Sequence, residues 1–188
     1  MGEAGPLAHW VIVNIRKAKM LRIMIAVDGS EPSLDAVRHG VRLVRQGLQA
    51  SLVLAHVQQE ASFYELATQD PDLIARASVA AGRHLMEPAV ALVEAAGVRH
   101  EAEVGLGETA ATLVDMAERN GCDMIIIGAL GQGGVRRALI GSVSREIARL
   151  STVPVTIVKH PDPEDLADVA EAAAEVDAEM DRGIDPVR

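Results

Sequence analysis

Five short strand-like runs, four of them apolar and the third only weakly alternating, are interleaved with four longer stretches of helical character, and no other feature of the chain narrows its possible folds as much. The runs are residues 22–27 (RIMIAV), 51–57 (SLVLAHV), 98–104 (VRHEAEV), 123–127 (DMIII) and 153–158 (VPVTIV). In the first intervening stretch, residues 31–48, Leu34, Val37, Val41 and Val44 recur three or four apart, the repeat of one helix face. Ser30 suits the cap of that helix, and Pro32 falls in its first turn, where a missing N–H does no harm. Residues 72–96, 108–118 and 135–150 read as three further helices, with Pro88 expected to kink or break the second. Strands that alternate with helices need right-handed crossovers, so the expected product is a parallel α/β sheet covered on both faces. Trp10, Phe63 and Tyr64 are the only aromatic residues, so the core must be aliphatic.

At 188 residues the chain suits one domain with appendages. Its formal charge of −9 is uneven: the 28 residues 161–188 carry ten acids and two bases, while residues 1–160 stand near neutrality. The expected organisation is an extension at 1–19, a core domain at 20–160 and an acidic tail at 161–188. Met20, just before the first run, and Met24, within it, offer alternative starts. In the tail, Asp162-Pro163-Glu164-Asp165 has the make-up of a helix start, and Leu166, Val169, Ala173, Val176 and Met180 follow at helical spacing up to Gly183. That stripe suits either a helix docked on an unknown protein partner or a marginal solvated helix.

Several function classes fall away on composition. Nucleic-acid binders carry basic excess and stacking aromatics, and this chain has neither. One cysteine, Cys122, supports neither an internal disulfide framework nor a cysteine-rich zinc site, and it reads as an inert buried thiol. The apolar runs are too short to cross a membrane, and the patch at residues 10–13 lacks the long apolar region of a secretory signal, so a cytoplasmic location is the expectation.

In an open parallel sheet a ligand sits at the carboxyl ends of the strands, where strand order reverses. The loops after the first and fourth runs therefore matter most. The first reads Val27-Asp28-Gly29-Ser30; the other reads Gly128-Ala129-Leu130-Gly131-Gln132-Gly133-Gly134. Glycines let backbone N–H groups approach a ligand with no Cβ in the way, and a concave row of such donors suits phosphate oxygens. Gly141, Ser142, Val143 and Ser144 follow, with two hydroxyls able to add donors. The chain has no Walker A sequence. Gly105-Leu106-Gly107-Glu108-Thr109-Ala110 imitates a dinucleotide loop, yet it lies far from the first run and is better read as a turn that opens a helix.

Together these residues resemble the universal stress protein family. Its nucleotide motif, Gly-x2-Gly-x9-Gly-Ser/Thr, is met by Gly128, Gly131, Gly141 and Ser142, between the fourth strand and the next helix. Ala26-Val27-Asp28-Gly29-Ser30 is similar to the family's first strand ending, His56-Val57 to its second, and Val153-Pro154-Val155 to its last strand; the resemblance spans residues 20–160. It implies a Rossmann-like, five-stranded parallel sheet of order 3-2-1-4-5, dimeric through the last strand, that binds ATP with Mg²⁺ or Mn²⁺. By position, Asp28 would contact the ribose or adenine side; Ala26, Val27, His56 and Val57 would flank the adenine; and Gly128, Gly131, Gly141, Ser142, Val143 and Ser144 would hold the phosphates. One departure stands out: the position before the second glycine is often His or Arg in the family and here is Leu130, which removes a polar contact.

Each of these residues has a plainer reading. Asp28 suits a ligand carboxylate, a helix-start cap or both. Arg136 and Arg137 suit either the phosphates or a solvated helix face, and His56 suits a packed, hydrogen-bonded histidine better than a base. Phe63 and Tyr64 fit gap-filling better than a pocket cover. With no general base evident beside the phosphates, the expected function is an ATP-binding stress-response or signalling regulator with at most slow hydrolysis. The alternatives are a hydrolase or adenylyl transferase on the same scaffold and a dimeric scaffold that no longer binds nucleotide.

Overall fold

A computed structural model describes residues 20–59, 70–130 and 140–160. The expectations for residues 1–19, Phe63, Tyr64, Gly131, Gly133, Gly134, Arg136, Arg137 and the tail from 161 lie outside these residues. Five strands form one sheet: β1 (Leu21–Ala26), β2 (Ala50–Gln58), β3 (His100–Leu106), β4 (Met124–Gly128) and β5 (Val155–Val158). They pair in the order β3-β2-β1-β4-β5, and every pair is parallel. Among the described residues, four helices connect them: α1 (Glu31–Arg45), α2 (Pro71–Ala95), α3 (Thr109–Arg119) and α4 (Ser142–Leu150). The chain thus has the Rossmann-like α/β architecture expected of its alternating pattern.

Side chains alternate across a strand, so a central parallel strand must be apolar on both faces. On β1, Ile23 and Ile25 join Leu34, Val37, Met86 and Val93 beneath α1 and α2, whereas Met24 packs with Leu113, Met116, Ile125 and Ile147 beneath α3 and α4. Each fully buried isoleucine contributes about 2 kcal/mol of transfer free energy. The sheet edges are more open. β3 is half-exposed along its length and so is β5.

Boundaries differ from the sequence expectations for local reasons. α1 stops at Arg45, with Gln46 as its C-cap and Gly47 at φ +107°, where the chain turns towards β2. β3 begins at His100 rather than Val98, because Gly97 turns the chain at φ +67° and strand pairing starts only where His100 meets Leu52. α2 runs through Pro88 without a break. Pro88 is on the solvent side, and Met86, Ala89 and Val93 hold the helix on the sheet by buried contacts. The helix expected over residues 135–150 is not continuous over that range. Ile140 and Gly141 are non-helical, with Gly141 extended at φ −68°, ψ 167°, and the helix starts at Ser142.

Cys122 is buried between α3 and β4, and burial pushes its thiol above the usual range while Arg22 pulls the other way. A thiol that is both covered and protonated is a poor nucleophile. Cys122 is therefore expected to react with an aromatic disulfide reagent at least about a hundredfold slower in native protein than in denaturant, since it must wait for opening of the core. Labelling at equal rates in both conditions would contradict this packing.

Candidate functional site

The order in which strands are added reverses between β1 and β4, and a cavity of about 610 Å³ opens at the carboxyl ends of these parallel strands. That volume lies within the range of sites for nucleotide-sized ligands. Ala26, Val27, Asp28, His56, Val57, Gly128, Gly141, Ser142, Val143 and Ser144 all line it. These are the candidate residues that fall within the described part of the chain; Gly131 does not.

On the β1 side, Asp28 accepts from the Ser30 N–H at 3.0 Å and from the Ser30 hydroxyl. Ser30 in turn caps α1, its Oγ accepting from the Ser33 N–H. Asp28 thus supports the helix start and also faces the cavity. His56 is 6 % exposed. Its Nδ1 donates to the Val27 carbonyl at 2.7 Å, because a carbonyl oxygen can only accept, and its Nε2 lies 3.0 Å from Oε1 of Gln58. Gly82 lets α2 close over the ring, since a Cβ there would stand 2.9 Å from His56 Cδ2. Both ring nitrogens are engaged within the protein, which is the arrangement of a packed histidine.

On the β4 side, the Gly141 N–H donates to the Ala129 carbonyl at 2.7 Å and brings the start of α4 back to the end of β4. Ser144 is 3 % exposed and donates its hydroxyl proton to the Gly128 carbonyl at 2.8 Å. That corrects one expectation: the only proton of this hydroxyl is committed to the backbone, so Ser144 offers the cavity its backbone N–H and not a second hydroxyl donor. Gly128 is required by close approach. A Cβ there would lie 2.6 Å from the Pro32 carbonyl oxygen.

The helix ends set this cavity apart. α1 is capped by Ser30, α2 by Asp70 and α3 by Glu108, each through a side-chain oxygen on the first-turn N–H groups. α4 has Gly141 at its N-cap position and no side-chain cap, and its first turn lines the cavity. A helix N-terminus carries about half a positive charge and up to four unpaired donors, a natural seat for an anion. The dinucleotide-loop imitation has no such opening, since the Glu108 carboxylate already occupies the start of α3 through Ala110 and Ala111 N–H.

Reading the strand-end loops missed Leu85 on α2 and Thr109 and Leu113 on α3, which form side walls of the cavity. They belong to helix faces, and their only sequence signal is the apolar stripe that packs each helix on the sheet. Among the described residues, no group of three His, Cys, Asp or Glu side chains is placed to hold a metal ion. No described helix is long and apolar enough to cross a membrane.

Comparison with known proteins agrees with this architecture. The sequence model of the universal stress protein family matches residues 20–159. The universal stress protein YxiE of Bacillus subtilis is 30% identical over 146 residues, covering 73% of this chain and 98% of its own. The structure of universal stress protein UspA from Lactobacillus plantarum superposes with a TM-score of 0.64 at 20% identity, over 75% of this chain and 99% of that one. A universal stress protein family member from Arabidopsis thaliana, solved with AMP bound, superposes with a TM-score of 0.55 at 21% identity, over 77% of this chain and 94% of that one.

Proposed function

The chain belongs to the universal stress protein family, and from that premise we propose that it binds an adenine nucleotide, ATP accompanied by Mg²⁺ or Mn²⁺, in the cavity between β1 and β4. The observation that carries this reading is the uncapped start of α4 inside a cavity of about 610 Å³. Phosphate oxygens would take the place of the missing cap on the N–H groups of Ser142, Val143 and Ser144, beside Gly128, Gly131 and Gly141. Ala26, Val27, Val57 and the covered face of His56 would border the base, and Asp28 would accept from the nucleoside. The AMP bound to the Arabidopsis protein of the same fold supports the choice of adenine.

The bound nucleotide would serve as a signal, in a stress-response protein whose conformation depends on occupancy, in preference to being a substrate for rapid turnover. His56, the one histidine lining the cavity among the described residues, has both nitrogens engaged and is poorly placed to activate water. The half-exposed edge strand β5 suits pairing with a second copy, which would make the protein a homodimer.

The test is direct. Protein purified without added nucleotide is denatured, the released small molecules are identified, and ATP, AMP and cAMP are titrated calorimetrically into the emptied chain. Wild type should retain or bind ATP. Asp28→Asn, which keeps an acceptor for the Ser30 N–H, should bind roughly tenfold more weakly through loss of a charged hydrogen bond. A chain that retains no adenine nucleotide and takes up none would sink the proposal.

A further inference from the structure

One contact in the cavity wall sets two acceptors face to face. His56 Nδ1 lies 2.7 Å from the Val27 carbonyl oxygen and must carry the proton that it donates. A neutral imidazole has a single N–H, so Nε2 is left with a lone pair and can only accept. Yet Nε2 stands 3.0 Å from Oε1 of Gln58, which also only accepts. The two partners of the ring are a carbonyl and an amide, both uncharged, so neither calls for a second ring proton. The amide supplies the remedy. Its oxygen and nitrogen ends are alike in shape, and a half turn about its last side-chain bond brings the NH2 group to Nε2 as donor. Gln58 is the last residue of β2, two positions from His56 and so on the same face of the strand. It is only partly buried and, like His56, it lines the cavity. With the NH2 group committed to the ring, Oε1 is the end left open to the cavity.

We propose that Gln58 selects the base, its amide turned by His56 so that the oxygen faces the ligand, and that the cavity thereby favours adenine over an oxopurine such as hypoxanthine. The selection rests on the reading above, in which a purine nucleotide occupies the cavity. The exocyclic amine of adenine donates, and Oε1 would accept from it. Hypoxanthine carries a carbonyl oxygen at that position, which would meet Oε1 as acceptor against acceptor and leave both unsatisfied. Three contacts hold the selecting group. The Gln58 carbonyl accepts from the Gly107 N–H at 3.1 Å and ties the end of β2 to the end of β3. The Val27 carbonyl fixes which ring nitrogen of His56 carries the proton. α2 backs the ring at Gly82, where even a Cβ would stand 2.9 Å from Cδ2. Control therefore runs from the Val27 carbonyl through His56 to Gln58 and then to the base, with His56 as a positioning residue.

The test has two independent arms. Heteronuclear NMR of the ring nitrogens, on the ligand-free full chain at mildly alkaline pH, should show His56 protonated at Nδ1 and bare at Nε2. A proton on Nε2 would overturn the proposal whatever the cavity binds. Calorimetry with ATP and with inosine triphosphate, its oxopurine counterpart, should give wild type at least about thirtyfold higher affinity for ATP. Gln58→Leu should shrink that ratio to within about threefold, chiefly by weakening ATP. His56→Asn keeps a donor for the Val27 carbonyl and removes the acceptor at Nε2, so it should shrink the ratio to within about fivefold while both nucleotides still bind. A purely structural role for His56 would weaken both alike and keep the ratio. A ratio that survives Gln58→Leu or His56→Asn would overturn the proposal. Gln58 is only partly buried, so Gln58→Leu decides the matter even if His56→Asn fails to fold. Equal affinities of wild type for the two nucleotides would overturn the selection and leave the nucleotide reading standing. Binding of neither would sink that reading and the selection with it.

Discussion

Replacing Ser142 with aspartate is expected to abolish nucleotide binding while leaving the protein at least as stable as wild type. Ser142 is the exposed first residue of α4, and no side chain caps that helix. A carboxylate in the first turn interacts favourably with the helix dipole, by about 0.5 kcal/mol. The same carboxylate would occupy the donors proposed for phosphate and repel its charge, so affinity should fall by roughly a hundredfold or more. The opposite signs of the two effects make the variant decisive. Thermal unfolding of the empty protein reads the first and calorimetry with ATP reads the second. If ATP binds Ser142→Asp as well as wild type, the anion seat is not at α4. Ser142→Ala, which keeps the N–H groups and adds no charge, should bind within a few-fold of wild type.

Gly128→Ala is expected to be among the most damaging single changes in the chain, for a steric reason. The added Cβ would sit 2.6 Å from the Pro32 carbonyl oxygen and 2.8 Å from its carbon. Both are backbone atoms, so no rotamer change relieves the clash, and the end of β4 must separate from the first turn of α1. Overpacking of this kind costs roughly 2–3 kcal/mol. Gly141→Ala makes the useful comparison. Its Cβ would meet the Ala129 oxygen at 3.2 Å with φ in the ordinary range, so its cost should stay below about 1 kcal/mol. Urea unfolding of the two variants should therefore separate them clearly. Equal stabilities would mean that Gly128 owes its place to the ligand alone and not to the approach of α1.

Most of the sheet is legible in the chain because central parallel strands must be apolar on both faces. RIMIAV and DMIII satisfy that condition almost without exception, and they became β1 and β4 with small shifts at their ends. β3 was harder, since an edge strand needs only one covered face and HEAEVGL carries two glutamates. A helix start was legible where a familiar capping side chain marks it, as at Ser30, whereas Glu108, read as the first helical residue, is the cap of a helix that begins at Thr109. The start of α4 was not legible, because Gly141 caps nothing and residues from Val135 onward keep a helical spacing of apolar side chains. The same lack of a capping side chain that hides the helix start from the sequence leaves its donors open to the cavity. At Ser144 the residue type predicted a donor but not its direction. Only the fold shows that the hydroxyl turns to the Gly128 carbonyl.

That Ser144 bond has a mechanical consequence. Gly128 receives the hydroxyl of α4 on its carbonyl, and it is also in register with Val158 of β5. The adjacent Ala129 N–H donates to the Val158 carbonyl at 2.7 Å, while its own carbonyl takes the Gly141 N–H. The first turn of α4, the end of β4 and the end of β5 are therefore hinged to one another by hydrogen bonds only one residue apart. An anion that draws α4 inwards acts on the same atoms that fix the exposed edge of the sheet. A partner that gripped β5 would meet that edge in a position set by occupancy of the cavity. Thermodynamic reciprocity then requires that such a partner tune the affinity of the cavity in return, by the same free energy.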